Sequence, residues 1–270
     1  MSSATCVASH SVSLARRRGW PRRPRRTPGS DPRSQRSQPL KRLVLFDIDG
    51  TMLLTHGAGR SAIRQAFASE LGIEGRFDEV RFDGKTDPQI IKEILELAEH
   101  PNPESEDAIA AVCARYLELL QFELEVGRSR VRVLPGVREV LSELELRSGV
   151  VLGLLTGNVE RGAHLKLIAA DIAPERFTVG AFGSDAASRP DLPPIAVERA
   201  VHKHGWSPEG RDVVIVGDTP ADMTCGNGIG ARAIGVATGS YSVEELRKAG
   251  ADDAFETLEA LTEVVDAVLT

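Results

Sequence analysis

Two aspartates, Asp47 and Asp49, stand two residues apart at the end of the apolar run Leu43-Val44-Leu45-Phe46, and Gly50-Thr51 follows at once. Side chains along a strand alternate faces, so carboxylates at this spacing share one side, and glycine lets the chain turn immediately beyond them. A strand tip carrying two carboxylates can bind a hard divalent cation through oxygen. The charge of such an ion keeps one carboxylate ionised as a nucleophile while the other carries a proton, which is the equipment for phosphoryl transfer through an aspartyl-phosphate. The same Asp-x-Asp-Gly pattern occurs in calcium loops and in plain strand exits. The helical calcium loop is excluded here, because Met52, Leu53 and Leu54 stand where further oxygen ligands are required.

Three more segments offer chemistry at the ends of apolar runs or helix starts. Leu154-Leu155-Thr156-Gly157-Asn158 brings a hydroxyl and free backbone amides to a helix start, where phosphate oxygens bind well, although the same tripeptide serves as an ordinary turn and cap. Val216-Gly217-Asp218-Thr219-Pro220-Ala221-Asp222 places two carboxylates four apart where a buried strand passes into a helix. Asp222 reads as a metal-site acid or as a helix cap, whereas Asp218, at the end of an apolar strand, needs a partner or a metal. Ser188-Arg189-Pro190 supplies a cation that either balances a nucleophile and a phosphate or is a solvated loop residue. In Phe82-Asp83-Gly84-Lys85-Thr86-Asp87, Lys85 is a candidate for a substrate carboxylate or hydroxyl; a nucleotide-binding P-loop is rejected because Glu79 occupies the first glycine position. His56 and Arg60 are rim or hinge candidates beside Gly57 and Gly59.

The elements that must position these residues follow from periodicity. A strand ends at Asp47, and helices are expected at 60–71, 88–99 and 106–125, an insertion of helical pattern. Strand and helix then alternate: helix 137–146, strand 150–155, helix 161–170, a short strand within 177–182, helix 193–204, strand 212–216, a helix from Asp222, strand 231–236 and a helix near 258–268. Continuous apolar strands such as Val213-Val214-Ile215-Val216 suit a parallel sheet covered on both faces, and ligands in such sheets lie beyond the carboxyl ends of the strands. The expected fold is α/β, a doubly wound parallel sheet at 41–57 and 133–270 with a helical cap inserted at 58–132.

Residues 1–40 differ from the rest. They hold nine arginines, many Ser and Pro, and one acid, Asp31; of 33 basic and 39 acidic residues in the whole chain this leaves 24 and 38 beyond residue 40, a net charge of −14. The expectation is a disordered segment or leader sequence from a start codon placed too early, ahead of a transit peptide or a nucleic-acid-binding tail. The acidic body argues against nucleic acid as a partner. Apolar runs are too short for a secretory signal or a membrane span, and three scattered cysteines, Cys6, Cys113 and Cys225, suit a reducing cytoplasm and exclude a zinc knuckle.

The four segments together resemble the haloacid-dehalogenase superfamily of hydrolases, close to its phosphoglycolate-phosphatase-like branch, over Leu43 to about Val236. That resemblance implies a Rossmann-like core with a helical cap, Mg²⁺ as cofactor, and a phosphatase acting on a small phosphomonoester. It assigns Asp47 as nucleophile, Asp49 as general acid/base, Thr156 as a phosphate-binding hydroxyl and Arg189 as the basic residue of the third motif. Asp47, Asp49, Asp218 and Asp222 make up the expected metal site, and Gly50, Thr51, Gly157, Asn158 and Lys85 the expected substrate-binding set. The third motif usually carries Lys before Pro, so Lys166 is a rival for the role of Arg189. The second aspartate argues against a dehalogenase or transport ATPase. A sugar phosphomutase, and a nucleic-acid-associated protein using the basic tail, are the alternatives, with a monomer or homodimer expected.

Overall fold

A computed structural model describes residues 41–127 and 130–270; the expected N-terminal segment lies outside the described residues. The sheet has six parallel strands: β1 (Arg42–Phe46), β4 (Val150–Thr156), β5 (Val179–Phe182), β6 (Val213–Gly217), β7 (Arg232–Val236) and β8 (Asp253–Phe255), in the order β5-β4-β1-β6-β7-β8. All five residues of β1 are buried, because it is central and covered on both faces. Its period of two splits the core: Val44 and Phe46 pack on one side with Leu141, Leu167 and Val268, while Leu43 and Leu45 pack on the other with Leu192, Ala196 and Cys225. The first side is covered by α4 (Val137–Glu145), α5 (Glu160–Ala169) and α9 (Leu261–Leu269), the second by α6 (Leu192–His204). Phe46 is in register with Leu154 of β4 and Val216 of β6, so three strand tips end at one level.

The insertion is helical as expected. Helices α1 (Ala58–Leu71), α2 (Asp87–Leu97) and α3 (Glu106–Val126) share a core of their own, including Phe67, Ile91, Leu95, Tyr116 and Leu120. The chain enters and leaves it through β2 (Leu53–Leu54) and β3 (Arg132–Val133), which pair antiparallel; Leu134 N–H also donates to the Met52 carbonyl at 2.9 Å.

Among the boundaries that differ from expectation, three have clear local settings. Helix α2 begins at Asp87 because Thr86 is its N-cap, accepting from Gln89 N–H at 3.2 Å, with Pro88 in the first turn. Helix α7 (Pro220–Cys225) begins two residues before Asp222, because Thr219 caps it and Asp222 answers from the third position in a capping box. The last helix starts at Leu261, with Leu258 buried ahead of it in the core. Helix α8 (Val243–Ala249), β8 and the β2–β3 pair were not anticipated. No described helix is long and apolar enough to cross a membrane.

Candidate active site

The three level strand tips deliver Asp47 from β1, Thr156 from β4 and Asp218 from β6 to one end of the sheet, where a cavity of about 340 Å³ lies between sheet and insertion. Gly50 has a left-handed φ of 82°, and a Cβ there would stand 2.3 Å from Asp218 Oδ2, so both the turn and the close approach require glycine. Thr51 is fully buried, and its hydroxyl donates to Asp218 Oδ1 at 3.0 Å, orienting that acid from the neighbouring loop.

Asp47, Asp218 and Asp222 bring oxygens within 4.8 Å of one another, all three buried. Burial pushes the Asp47 carboxyl up to about 7, against the lowering effect of Arg189 and with the charges of Asp222 and Asp49 raising it further. Burial, then the charges of Asp47 and Asp222, likewise raise Asp218 well above the usual carboxylate range. Arg189 answers part of this charge. Its guanidinium lies 3.0 Å from Asp47 Oδ1 and hydrogen-bonds Asp222 Oδ1. Burial opposes its charge, yet Asp222 and Asp47 carry the net shift upward, so it is a permanent cation. Asp222 Oδ2 accepts from Thr219 N–H at 3.0 Å and from the Thr219 hydroxyl at 2.6 Å; Asp222 is thereby both the clamp of Arg189 and part of the cap of α7. Three buried carboxylates with one guanidinium remain short of positive charge, and a hard cation bound by Asp47 and Asp218 fits that deficit.

Asp49 lies outside this three-carboxylate group. Its side chain turns to the β4 side, where Oδ2 accepts from Lys166 Nζ at 2.6 Å and from Asn158 Nδ2 at 2.8 Å. Lys166 also donates to Asn158 Oδ1 at 2.6 Å. Lys166 and Arg189 therefore face different acids, and it is Arg189 that stands against Asp47. Thr156 Oγ1 accepts from Asn158 Nδ2 at 2.8 Å, which leaves the hydroxyl proton for another acceptor. Gly157 allows the insertion to close on the sheet: a Cβ there would meet the Lys85 carbonyl oxygen at 2.0 Å.

Lys85 lines the cavity but is ion-paired with Glu93 of α2. Arg60 stacks its guanidinium 4.1 Å over the Phe82 ring and donates to the Phe77 carbonyl at 3.1 Å; it and His56 also line the cavity. Sequence reasoning passed over Asp87 and Tyr116. Asp87 is buried at the start of α2, accepts from Val159 N–H of the sheet side at 2.9 Å and has the Tyr116 hydroxyl as a further hydrogen-bond partner; burial outweighs the nearby Lys166 and pushes it up to about 6. The Thr86-Asp87-Pro88 triplet carried a helix-start signal that would have placed this acid at the insertion's edge.

The model of the haloacid dehalogenase-like hydrolases matches residues 41–230. The chain belongs to that family. A Clostridium perfringens protein bearing the name pyrophosphatase PpaX is 26% identical to it over 218 residues, which are 77% of this chain and 90% of that protein. Among solved structures, a Pseudomonas syringae hydrolase superimposes with a TM-score of 0.65 at 19% identity, covering 85% of this chain and all of the other. CbbY of Rhodobacter sphaeroides, solved with phosphate, gives 0.63 at 22% identity, covering 82% and 96%. Like other haloacid dehalogenase-like hydrolases, this chain is an α/β enzyme built on a parallel sheet with helices on both faces.

Proposed function

We propose that the protein is a Mg²⁺-dependent cytoplasmic phosphatase that hydrolyses a small phosphomonoester through an aspartyl-phosphate. The observation carrying this reading is the division between the two acids of the first strand tip. Asp47 sits beside Arg189 within a charge-deficient group, whereas Asp49 is held apart by neutral and cationic donors. A nucleophile and a proton carrier need such different surroundings.

Asp47 attacks phosphorus, forming its O–P bond as the bond to the leaving oxygen breaks, and Asp49 delivers a proton to that oxygen. Water then gives a proton to Asp49 and attacks the phosphoryl group, releasing phosphate and restoring Asp47. Arg189 would face the charge that builds on the phosphoryl oxygens, and the Thr156 hydroxyl and the Gly157 amide would donate to them. Asp47 and Asp218 would hold Mg²⁺, with Asp222 behind them, and the ion would neutralise phosphate charge there. The cavity suits a small metabolite, such as phosphoglycolate or a sugar phosphate. Inorganic pyrophosphate joins that list through the name of the clostridial relative.

The test is phosphate release from phosphoglycolate, sugar phosphates, nucleotides and pyrophosphate, with Mg²⁺ or EDTA, by wild type and Asp47→Asn. Mg²⁺-dependent release by wild type alone is expected. Isomerisation of glucose 1-phosphate without release would instead establish a phosphomutase.

A further inference from the structure

Lys166 is a long, charged side chain on α5 that is only 5% exposed and yet lines the cavity. Its ammonium does not meet the nucleophile or the three-carboxylate group. It closes a triangle: Lys166 Nζ to Asp49 Oδ2, Lys166 Nζ to Asn158 Oδ1, and Asn158 Nδ2 back to the same Asp49 Oδ2. Both donors land on one oxygen of Asp49. Among the described residues no hydrogen bond reaches Asp49 Oδ1, although the Asp49 side chain is 43% exposed at the cavity. An acid acting by proton transfer must present one particular oxygen, and a carboxylate free to rotate presents either. From the insertion, Asp87 lies near enough for the charge of Lys166 to act on its carboxyl, so that charge is shared with a second buried acid rather than left to solvent.

We propose that Lys166 is a positioning residue for Asp49: together with Asn158 it pins Oδ2, making Oδ1 the oxygen that gives a proton to the departing alcohol and takes one from the attacking water. In the first step the P–O bond to the alcohol breaks, and the proton on Asp49 Oδ1 moves to that oxygen. In the second, a proton from water returns to Oδ1 as the water oxygen bonds phosphorus and the Asp47–phosphorus linkage breaks. This inference rests on the phosphatase reading, and it assigns Lys166 no contact with the phosphoryl group.

The experiment compares kcat/KM of wild type and Lys166→Met on an alkyl monophosphate, whose leaving oxygen needs a proton, and on p-nitrophenyl phosphate, whose leaving phenolate does not. Binding of inorganic phosphate, followed by calorimetry, counts folded sites in each preparation. The expected result is a loss of about 10²-fold on the alkyl ester, less than about threefold on the aryl ester, and phosphate affinity within about threefold of wild type. Equal losses on both esters, or phosphate affinity weakened by about tenfold or more, would overturn the proposal and make Lys166 a structural or phosphate-binding residue. If Lys166→Met fails to fold, Lys166→Gln, which removes the charge but keeps a polar head beside Asp87, carries the same comparison, with an equal loss on both esters again decisive against it. A wild type inactive on every ester defeats the phosphatase reading itself and is distinguishable from either result.

Discussion

The two sides of the first strand tip solve opposite electrostatic problems with the same residue type. Around Asp47, three dry carboxylates crowd one guanidinium, and burial displaces the protonation of Asp47 and Asp218 upward. Around Asp49, a half-exposed carboxylate is met by two well-placed donors at 2.6 and 2.8 Å. Aspartate chemistry is therefore decided by what each oxygen touches. On the proposed reading, the charge deficit suits one acid to take a cation and a phosphoryl group, and the satisfied hydrogen-bond triangle suits the other to stay put while its proton moves.

The comparison breaks most severely at Asp47. Asp47→Asn is expected to lower phosphate release by about 10⁴-fold or more, since an amide is a far weaker nucleophile; activity within tenfold of wild type would place the nucleophile elsewhere. Next in size is Arg189→Met, which leaves Asp47 and Asp222 buried without their cation. Unfolding free energy of the metal-free protein is expected to fall by about 3–5 kcal/mol, read from urea denaturation at pH 8, and an unchanged midpoint would show the pair to be dispensable.

A metal titration sharpens the contrast further. Because Asp47 is held up to about 7 in the metal-free protein, protons compete with the ion below that pH. Mg²⁺ affinity measured by calorimetry should fall about tenfold from pH 8 to pH 6, and a flat profile would contradict the assignment of Asp47 as a ligand. The smallest effect concerns the insertion's edge. Asp87, raised to about 6, binds its proton more tightly in the folded chain than in the unfolded one, where an ordinary aspartate titrates near 3.8. Its contribution to stability is thus fully present below about 4 and lost as pH rises through 6. The stability of wild type relative to Asp87→Asn should improve as pH falls across that window; a difference independent of pH would mean that this acid is not buried in solution.

The strand tips were legible because each motif ends an apolar run, so position along the chain and position in the sheet coincide for Asp47, Thr156 and Asp218. Arg189 was readable as a cation near the site, but not as the shared partner of Asp47 and Asp222, since those contacts cross 142 and 33 positions of sequence. Lys166 meets Asp49 across 117 positions, and nothing local in α5 announces it. Tyr116 lies on the apolar stripe of α3, where its ring belongs, so its pattern reads as core and gives no sign of the hydroxyl that serves Asp87. Strands β2, β3 and β8 have two or three residues, too few to show a period. Helix α8 is a different case, since Ser242 and Glu245 form a capping box visible in the sequence that its short helix did not make conspicuous.

The β2–β3 pair has a mechanical meaning. Two separate linkers would tether the helical insertion like two strings, free to twist and slide past each other. Hydrogen-bonded side by side, Leu53–Leu54 and Arg132–Val133 form a single ribbon, compliant to bending across its face and stiff to shear along it. Any movement of the insertion on such a ribbon would be confined to a bend in one plane, which would bring Asp87 and Lys85 back to the sheet in the same register.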